Sequence, residues 1–384
     1  MNDSRLDKAA RFQTEVLEPI KAAFVGKDEI IDLLGIALVG GENLFLFGPP
    51  GTAKSALARE LAKRMEGRVF DYLLTRFSEP SELFGPFDIR KLREGDLVTN
   101  TEGMIPEADF VFLDELLNAN SAVLNSLLMV LNERVFRRGR ETRKLGTLMF
   151  VGASNHLPED EALAALFDRF LLRVNCVNVP SEMMADVLNA GWKLDTQAEE
   201  VPATFSVDDV RELQSLIREV DLSAVQSQFV DLIHRLRHAG ISVSDRRAVK
   251  LQRVIAASAV LCGRLKAVTS DLWVLRYIWD SEEQQSVLAS IVQETIDKAG
   301  TEDTSEHPRA KGTDSANPEQ LARDLERLGD RLSAADIRET DRVFLRDQLG
   351  LISARCQWVA NDQQRDHLES MVQDLWKKFE AANV

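Results

Sequence analysis

The sequence predicts an α/β fold: a five-stranded parallel sheet, then an all-helical domain and a C-terminal helical extension. Three observations carry this. Residues 10 to 180 alternate short apolar runs with helical periodicity, the pattern of parallel strands joined by crossover helices. From Ser181 the strand pattern stops, and residues 206 to 295 read as helices, Val249 to Leu261 among them. Residues 301 to 318 contain no Val, Ile, Leu, Met or aromatic residue, too little apolar surface to offset chain entropy. The expected divisions are therefore 1–180, 181–298, a disordered linker over 299–318 and a helical or coiled-coil tail over 319–384.

The candidate strands are Leu44–Phe47, Val69–Leu73, Phe110–Leu113, Leu148–Val151 and Phe170–Val174. Between the third and fourth, Val123, Leu124, Leu127, Leu128 and Leu131 share one helical face, with Asn120 or Ser121 placed to cap it. In the tail, Asn317, Pro318 and Glu319 form a helix start, and Leu321, Leu325, Leu328 and Leu332 make an apolar stripe suited to a docking or oligomer-supporting module.

Composition narrows the function classes. The chain has 384 residues and a net charge of −15, a field that opposes diffuse binding to nucleic acid or anionic membrane. Cys176, Cys262 and Cys356 are widely separated and odd in number, which favours reduced, buried thiols over a disulfide framework. No apolar core of a signal peptide appears in the first residues and no apolar run is long enough to span a bilayer, so a cytoplasmic location is expected. His234 and His238 stand four apart, but Arg235 occupies the place of the glutamate that a zinc-protease helix requires.

The strongest local signal follows the first strand. Gly48, Pro49, Pro50, Gly51, Thr52, Ala53, Lys54 and Ser55 fit the GxxxxGK[ST] phosphate loop except at Ala53, and Ala56 continues into a helix. Backbone amides in such a loop point at a polyphosphate, Lys54 reaches the outer phosphates, and the Ser55 hydroxyl can ligate Mg²⁺. Ala53 carries a cost if that position requires φ > 0.

The third strand closes on Asp114 and Glu115, sixty residues beyond the lysine. Alone, an acidic pair is a strand stop; after a phosphate loop, Asp114 can hold the Mg²⁺ shell while Glu115 orients the attacking water. Asn155 follows the fourth strand and would lie beside the γ-phosphate if that strand runs between the two motif strands; otherwise it is a turn residue. Arg169 precedes the fifth strand, where it either projects from the subunit edge or pairs with Asp168.

These residues resemble AAA+ ATPases of the MoxR branch, most closely the regulatory ATPase variant A group. The resemblance covers residues 10 to 295. It is carried by the phosphate loop, Thr75–Pro86, Val111–Glu115, Leu131–Arg134, Ala153–Asn155, Asp168–Phe170 and Val243–Arg247. It implies a P-loop NTPase domain with a helical lid, in a hexameric ring with ATP and Mg²⁺ between subunits. By the same resemblance Lys54 and Ser55 bind phosphate and metal, Asp114 and Glu115 form the Walker B pair, and Asn155 is the first sensor. Arg169 would be an arginine finger for the neighbouring copy, and Arg246 or Arg247 the second sensor. Val25, Gly26 and Lys27 resemble the adenine-side segment, and residues 79 to 107 the insertion in the second helix.

Six basic residues between 134 and 144 sit on an expected hairpin, where they would line a ring channel, bind nucleic acid or pair with the acidic surface. The function the resemblance implies is ATP-driven remodelling or maturation of a protein client, often with a von Willebrand factor A (vWA) domain partner. The alternatives are a nucleic-acid-directed motor or defence-system subunit, and a nucleotide-gated scaffold with little hydrolysis.

Overall fold

The structure, a computed structural model, describes residues 4–94, 96–138, 141–196, 203–298, 307–310 and 362–381, with Ala322, Leu325, Leu328, Gly329, Leu349, Ser353 and Cys356 in between. One compact unit ends at Ala310 and a second begins at Lys311.

The strands of the main sheet and the hairpin are β1 (Leu44–Phe47), β2 (Val69–Leu73), β3 (Phe110–Asp114), a hairpin of β4 (Val135–Arg138) and β5 (Glu141–Lys144), β6 (Met149–Ser154) and β7 (Leu172–Asn175). Five of them form a parallel sheet in the order β2-β3-β6-β1-β7. β6 thus lies between β1 and β3. These three inner strands are almost wholly buried, as expected of parallel strands covered on both faces. The fourth sheet strand runs on to Ser154, and the fifth begins at Leu172 rather than Phe170. The Phe170 amide donates back to Phe167 O at 3.0 Å and so is withheld from the sheet.

The principal helices of the first unit are α1 (Asp28–Gly40), α2 (Lys54–Lys63), α3 (Ser121–Glu133), α4 (Glu161–Phe167), α5 (Met184–Thr196), α6 (Val207–Leu216), α7 (Gln226–His238), α8 (Asp245–Leu261) and α9 (Glu282–Lys298). Asn120 caps α3 by accepting from the amides of Ala122 and Val123 at 3.0 and 3.1 Å. Ser244 caps α8 through the Arg247 amide at 3.2 Å. α8 lies along α1, and Lys250 and Arg253 both reach the buried carboxylate of Glu42 at 3.1 Å. Two ion pairs on one buried acid tie α8 to the base of β1.

The β4–β5 hairpin packs on the 79–107 segment through Phe136 stacked on Phe84, ring centroids 5.5 Å apart. Its cations are largely engaged. Arg137 pairs with Glu133 at 3.0 Å, Arg143 with Glu107 at 3.4 Å, and Arg138 lies 4.0 Å over the Phe87 ring while donating to Gly85 O.

Within the stretch expected to be a linker, residues 307 to 310 are packed instead. His307 stacks on Trp273 with centroids 4.8 Å apart, and its amide donates to Ser270 Oγ at 3.0 Å. Arg309 pairs with Asp32 of α1 at 2.8 Å. A few directed contacts hold a segment that lacks the apolar area to fold by burial. The remaining linker positions, 299–306 and 311–318, lie outside the described residues.

Burial lowers the His307 pKa from 6.5 to about 4. The unfolded chain therefore binds the proton first as pH falls, so the stability that neutral His307 contributes is complete above pH 6.5 and lost towards pH 4. The loss amounts to about 3 kcal/mol at 1.36 kcal/mol per pKa unit. His307→Asn is expected to melt lower at pH 7 and to show a flatter melting profile between pH 7 and 5. An unchanged slope would remove His307 from the acid response.

In the second unit α10 (Asp362–Ala381) buries Leu368, Val372, Leu375 and Phe379 against Leu325, Leu328, Leu349 and Cys356. Two of the four stripe leucines thus enter a core; Leu321, Leu332 and the Asn317–Glu319 helix start lie outside the described residues.

Candidate active site

The phosphate loop leaves β1 at Phe47, and the Gly48 amide donates to Ser154 O on β6 at 3.1 Å. Gly48 has φ 151°, and a Cβ there would lie 2.2 Å from Cys176 O. Ala53 adopts φ 67°, so the sequence departure at this position carries the left-handed cost of about 1 kcal/mol. Gly48→Ala is expected to destabilise by at least about 2 kcal/mol, because backbone cannot yield to the added carbon. Ala53→Gly should change stability by less than about 1 kcal/mol, relief of strain being offset by a freer unfolded chain. Thermal melts of the two variants check the contrast, and equal losses would contradict it.

Lys54 is buried and donates from Nζ to Gly48 O and Pro49 O at 2.6 and 2.9 Å. Ser55 Oγ donates to Asp114 Oδ2 at 2.7 Å, and the Glu115 amide donates to Asp114 Oδ1 at 3.0 Å. Glu115 stands at φ 49° with Oε2 buried and without a hydrogen-bond partner. Asn155 follows the last residue of β6 and is exposed. A lysine resting on its own loop carbonyls, a hydroxyl on a carboxylate and an orphaned carboxylate oxygen are the donor set that a phosphate chain with a hard divalent cation requires.

The Val25–Lys27 segment lies at the same end of the sheet. Gly26, φ 72°, leaves only 3.0 Å between an added Cβ and Val179 Cγ1, and Lys27 Nζ donates to Val177 O. Burial pulls the Lys27 amine below its ordinary pKa.

A second group gathers at the opposite end of β1. Asn43, immediately before the strand, donates from Nδ2 to Arg169 O at 3.0 Å and accepts from Arg134 at 2.7 Å. Arg169 pairs with Asp168 at 3.1 Å. Arg246 is exposed and reaches Asn132 Oδ1 at 3.3 Å. Arg247 is buried, its NH1 3.2 Å from both carboxylate oxygens of Asp280. The doubled arginine thus occupies two different environments.

Residues 10–215 match the family described as the MoxR domain in MoxR-vWA-beta-propeller ternary systems. The chain belongs to the MoxR family of AAA+ ATPases. Residues 225–292 of this MoxR protein match an AAA lid domain. Two uncharacterized proteins of Methanocaldococcus jannaschii are each 34% identical to it, over 74% and 72% of this chain and 74% of each relative. Chaperone MoxR1 of Mycobacterium tuberculosis is 29% identical over 51% of this chain and 52% of that protein. A crystal structure described as a candidate ATPase from Cytophaga hutchinsonii superposes with a TM-score of 0.63 at 20% identity, covering 77% of this chain and 98% of its own.

Three residues of this MoxR protein's site region escape the motif reading: Asn43, Arg173 and Asp280. Arg173 is wholly buried on β7, and burial together with the nearby Arg247 lowers its pKa to about 9. Its signal in the sequence is a charge inside the apolar run Leu171–Val174, which requires a partner. Nothing local identifies Asp280 as that partner, more than a hundred residues away.

Proposed function

We propose that this MoxR protein binds ATP with Mg²⁺ at the phosphate loop and hydrolyses it in a hexameric ring, using turnover to remodel or mature partner proteins. The observation that carries the reading is the division of the chain's charged groups between two ends of one strand. Lys54, Ser55, Asp114 and Glu115 converge after Phe47, whereas Arg169 is held beside Asn43, before Leu44. At roughly 3.3 Å per residue the five steps from Asn43 to Gly48 span about 16 Å. Arg169 is out of reach of its own loop, so the positive charge that completes the site comes from an adjoining copy.

In this reading Lys54 leaves its loop carbonyls for the outer phosphates, and Ser55 with Asp114 holds the metal. A divalent cation there would neutralise charge on the phosphate oxygens. The unpartnered Glu115 oxygen accepts from and orients the attacking water, and Asn155, just past the end of the strand between the motif strands, assists it. Val25 and Gly26 line the adenine side. Arg246, exposed at the Arg169 end, is the second sensor, while Arg247 is committed to Asp280.

A vWA-domain partner is supported by the ternary systems in which the matched family is described, and a remodelling role by the chaperone name of the mycobacterial relative. The set of motifs from the phosphate loop to Val243–Arg247, taken together, supports a place near the regulatory ATPase variant A group. Engagement of Arg137, Arg138 and Arg143 within the chain supports the surface-pairing role of the hairpin over nucleic-acid binding.

Phosphate release with ATP and Mg²⁺, followed beside sedimentation with and without nucleotide, tests the reading. Turnover that requires metal and accompanies a ring-sized species is expected; a monomer that leaves ATP intact would overturn it.

A further inference from the structure

Arg173 and Arg247 share one carboxylate. Arg173 NH1 donates to Asp280 Oδ1 at 2.6 Å, to Trp279 O at 2.7 Å and to Ile278 O at 3.2 Å. Its NH2 donates to Phe167 O at 3.2 Å, and the guanidinium lies 4.3 Å over the Phe167 ring. Phe167 ends α4, so Arg173 caps that helix as a cation at its negative terminus, two residues before Arg169. On the other side, Arg247 belongs to the first turn of α8 and adjoins Arg246; it reaches Asp280 and also donates to Ile278 O. Trp279 fills the space beneath, packed on Phe47 and Phe167 with centroids 6.0 and 6.3 Å away.

One acid therefore joins the end of the helix that presents Arg169 to the start of the helix that presents Arg246. We propose that Asp280 is a positioning residue that fixes the spacing between Arg169 and Arg246 on the edge offered to the neighbouring copy. The inference rests on the shared-site reading above. The Asp280 carboxylate bonds to Arg173 and Arg247 rather than to Lys54, Ser55, Asp114 or Glu115, so on this proposal its loss damages the site next door and leaves its own pocket competent.

Two variants probe the joint from different sides. Asp280→Asn releases both arginines but leaves buried Arg173 without its counter-charge. Arg247→Met releases only α8 and leaves a neutral Arg173–Asp280 pair, so it keeps the test sound if the first variant melts early. Both are expected to bind a fluorescent ATP analogue within about twofold of wild type while ATP turnover falls about tenfold or more, since small misplacements of catalytic groups are that costly. Mixing either variant with Lys54→Ala subunits should restore part of the turnover, because the mutant pocket then faces an intact edge. Weakened analogue binding that accounts for the lost turnover would overturn the proposal. So would absence of recovery under conditions where Arg169→Ala is recovered. If Arg169→Ala is itself not recovered in mixed rings, the shared site falls first, and the positioning role with it.

Discussion

Lys54→Ala is expected to abolish tight ATP binding, whereas Glu115→Gln should keep the nucleotide and stall its hydrolysis. In the proposed function the two side chains lie in one site but do different work. Lys54 is buried with both observed hydrogen bonds spent on loop carbonyls, Gly48 O and Pro49 O, so it is a donor awaiting a better acceptor. Two charge-assisted hydrogen bonds to phosphate, at about 1.5–3 kcal/mol each, correspond to a loss of about 10² to 10⁴ in affinity. Glu115 makes no contact that holds the loop, and its Oε2 is partnerless. The amide in its place keeps the shape and the φ 49° backbone but cannot accept a proton, a deficit of about 10² to 10⁴ in rate. Calorimetry with ATP and a phosphate-release assay separate these effects. Equal loss of binding in both variants would contradict the division of roles.

The sheet was legible because strands covered on both faces need uninterrupted apolar runs, and Leu44–Phe47 and Phe110–Leu113 have no other use for such composition. The phosphate loop was legible for a similar reason. Its residue types answer to backbone geometry, and the observed φ values at Gly48, Gly51 and Ala53 are the constraint that the pattern encodes. Even the departure at Ala53 was readable as strain.

What the sequence concealed depends on contacts between distant residues. That β6 separates β1 from β3, the condition on which Asn155 depended, is a property of strand order and leaves no local trace. The Asp168 partner of Arg169 was readable from adjacency, but the Asn43 contact that holds its carbonyl spans 126 positions. The 307–310 segment misled for a complementary reason. Composition measures burial of apolar area, while His307 and Arg309 are held by a ring stack and an ion pair. Of the three uses open to the basic hairpin, pairing within the chain needs a nearby acid, and Arg137 and Arg143 meet Glu133 and Glu107.

Arg169→Ala is expected to lower turnover by about 10³ or more with ATP binding preserved, the scale on which an arginine contributed to a phosphoryl-transfer site acts. Among the described residues the Arg169 side chain pairs with Asp168, while its amide and carbonyl bond to Leu166 O and Asn43, so the truncation removes no hydrogen bond or ion pair to the phosphate loop. The decisive arm is the mixture. Lys54→Ala subunits cannot hold ATP but carry an intact Arg169, and Arg169→Ala subunits hold ATP but lend no cation. In a mixed ring, pockets of the second kind that face edges of the first are complete, so combining two inactive preparations should give measurable phosphate release. If the arginine served its own subunit, every pocket in such a ring would lack either the lysine or the arginine, and the mixture would stay as inactive as its parts.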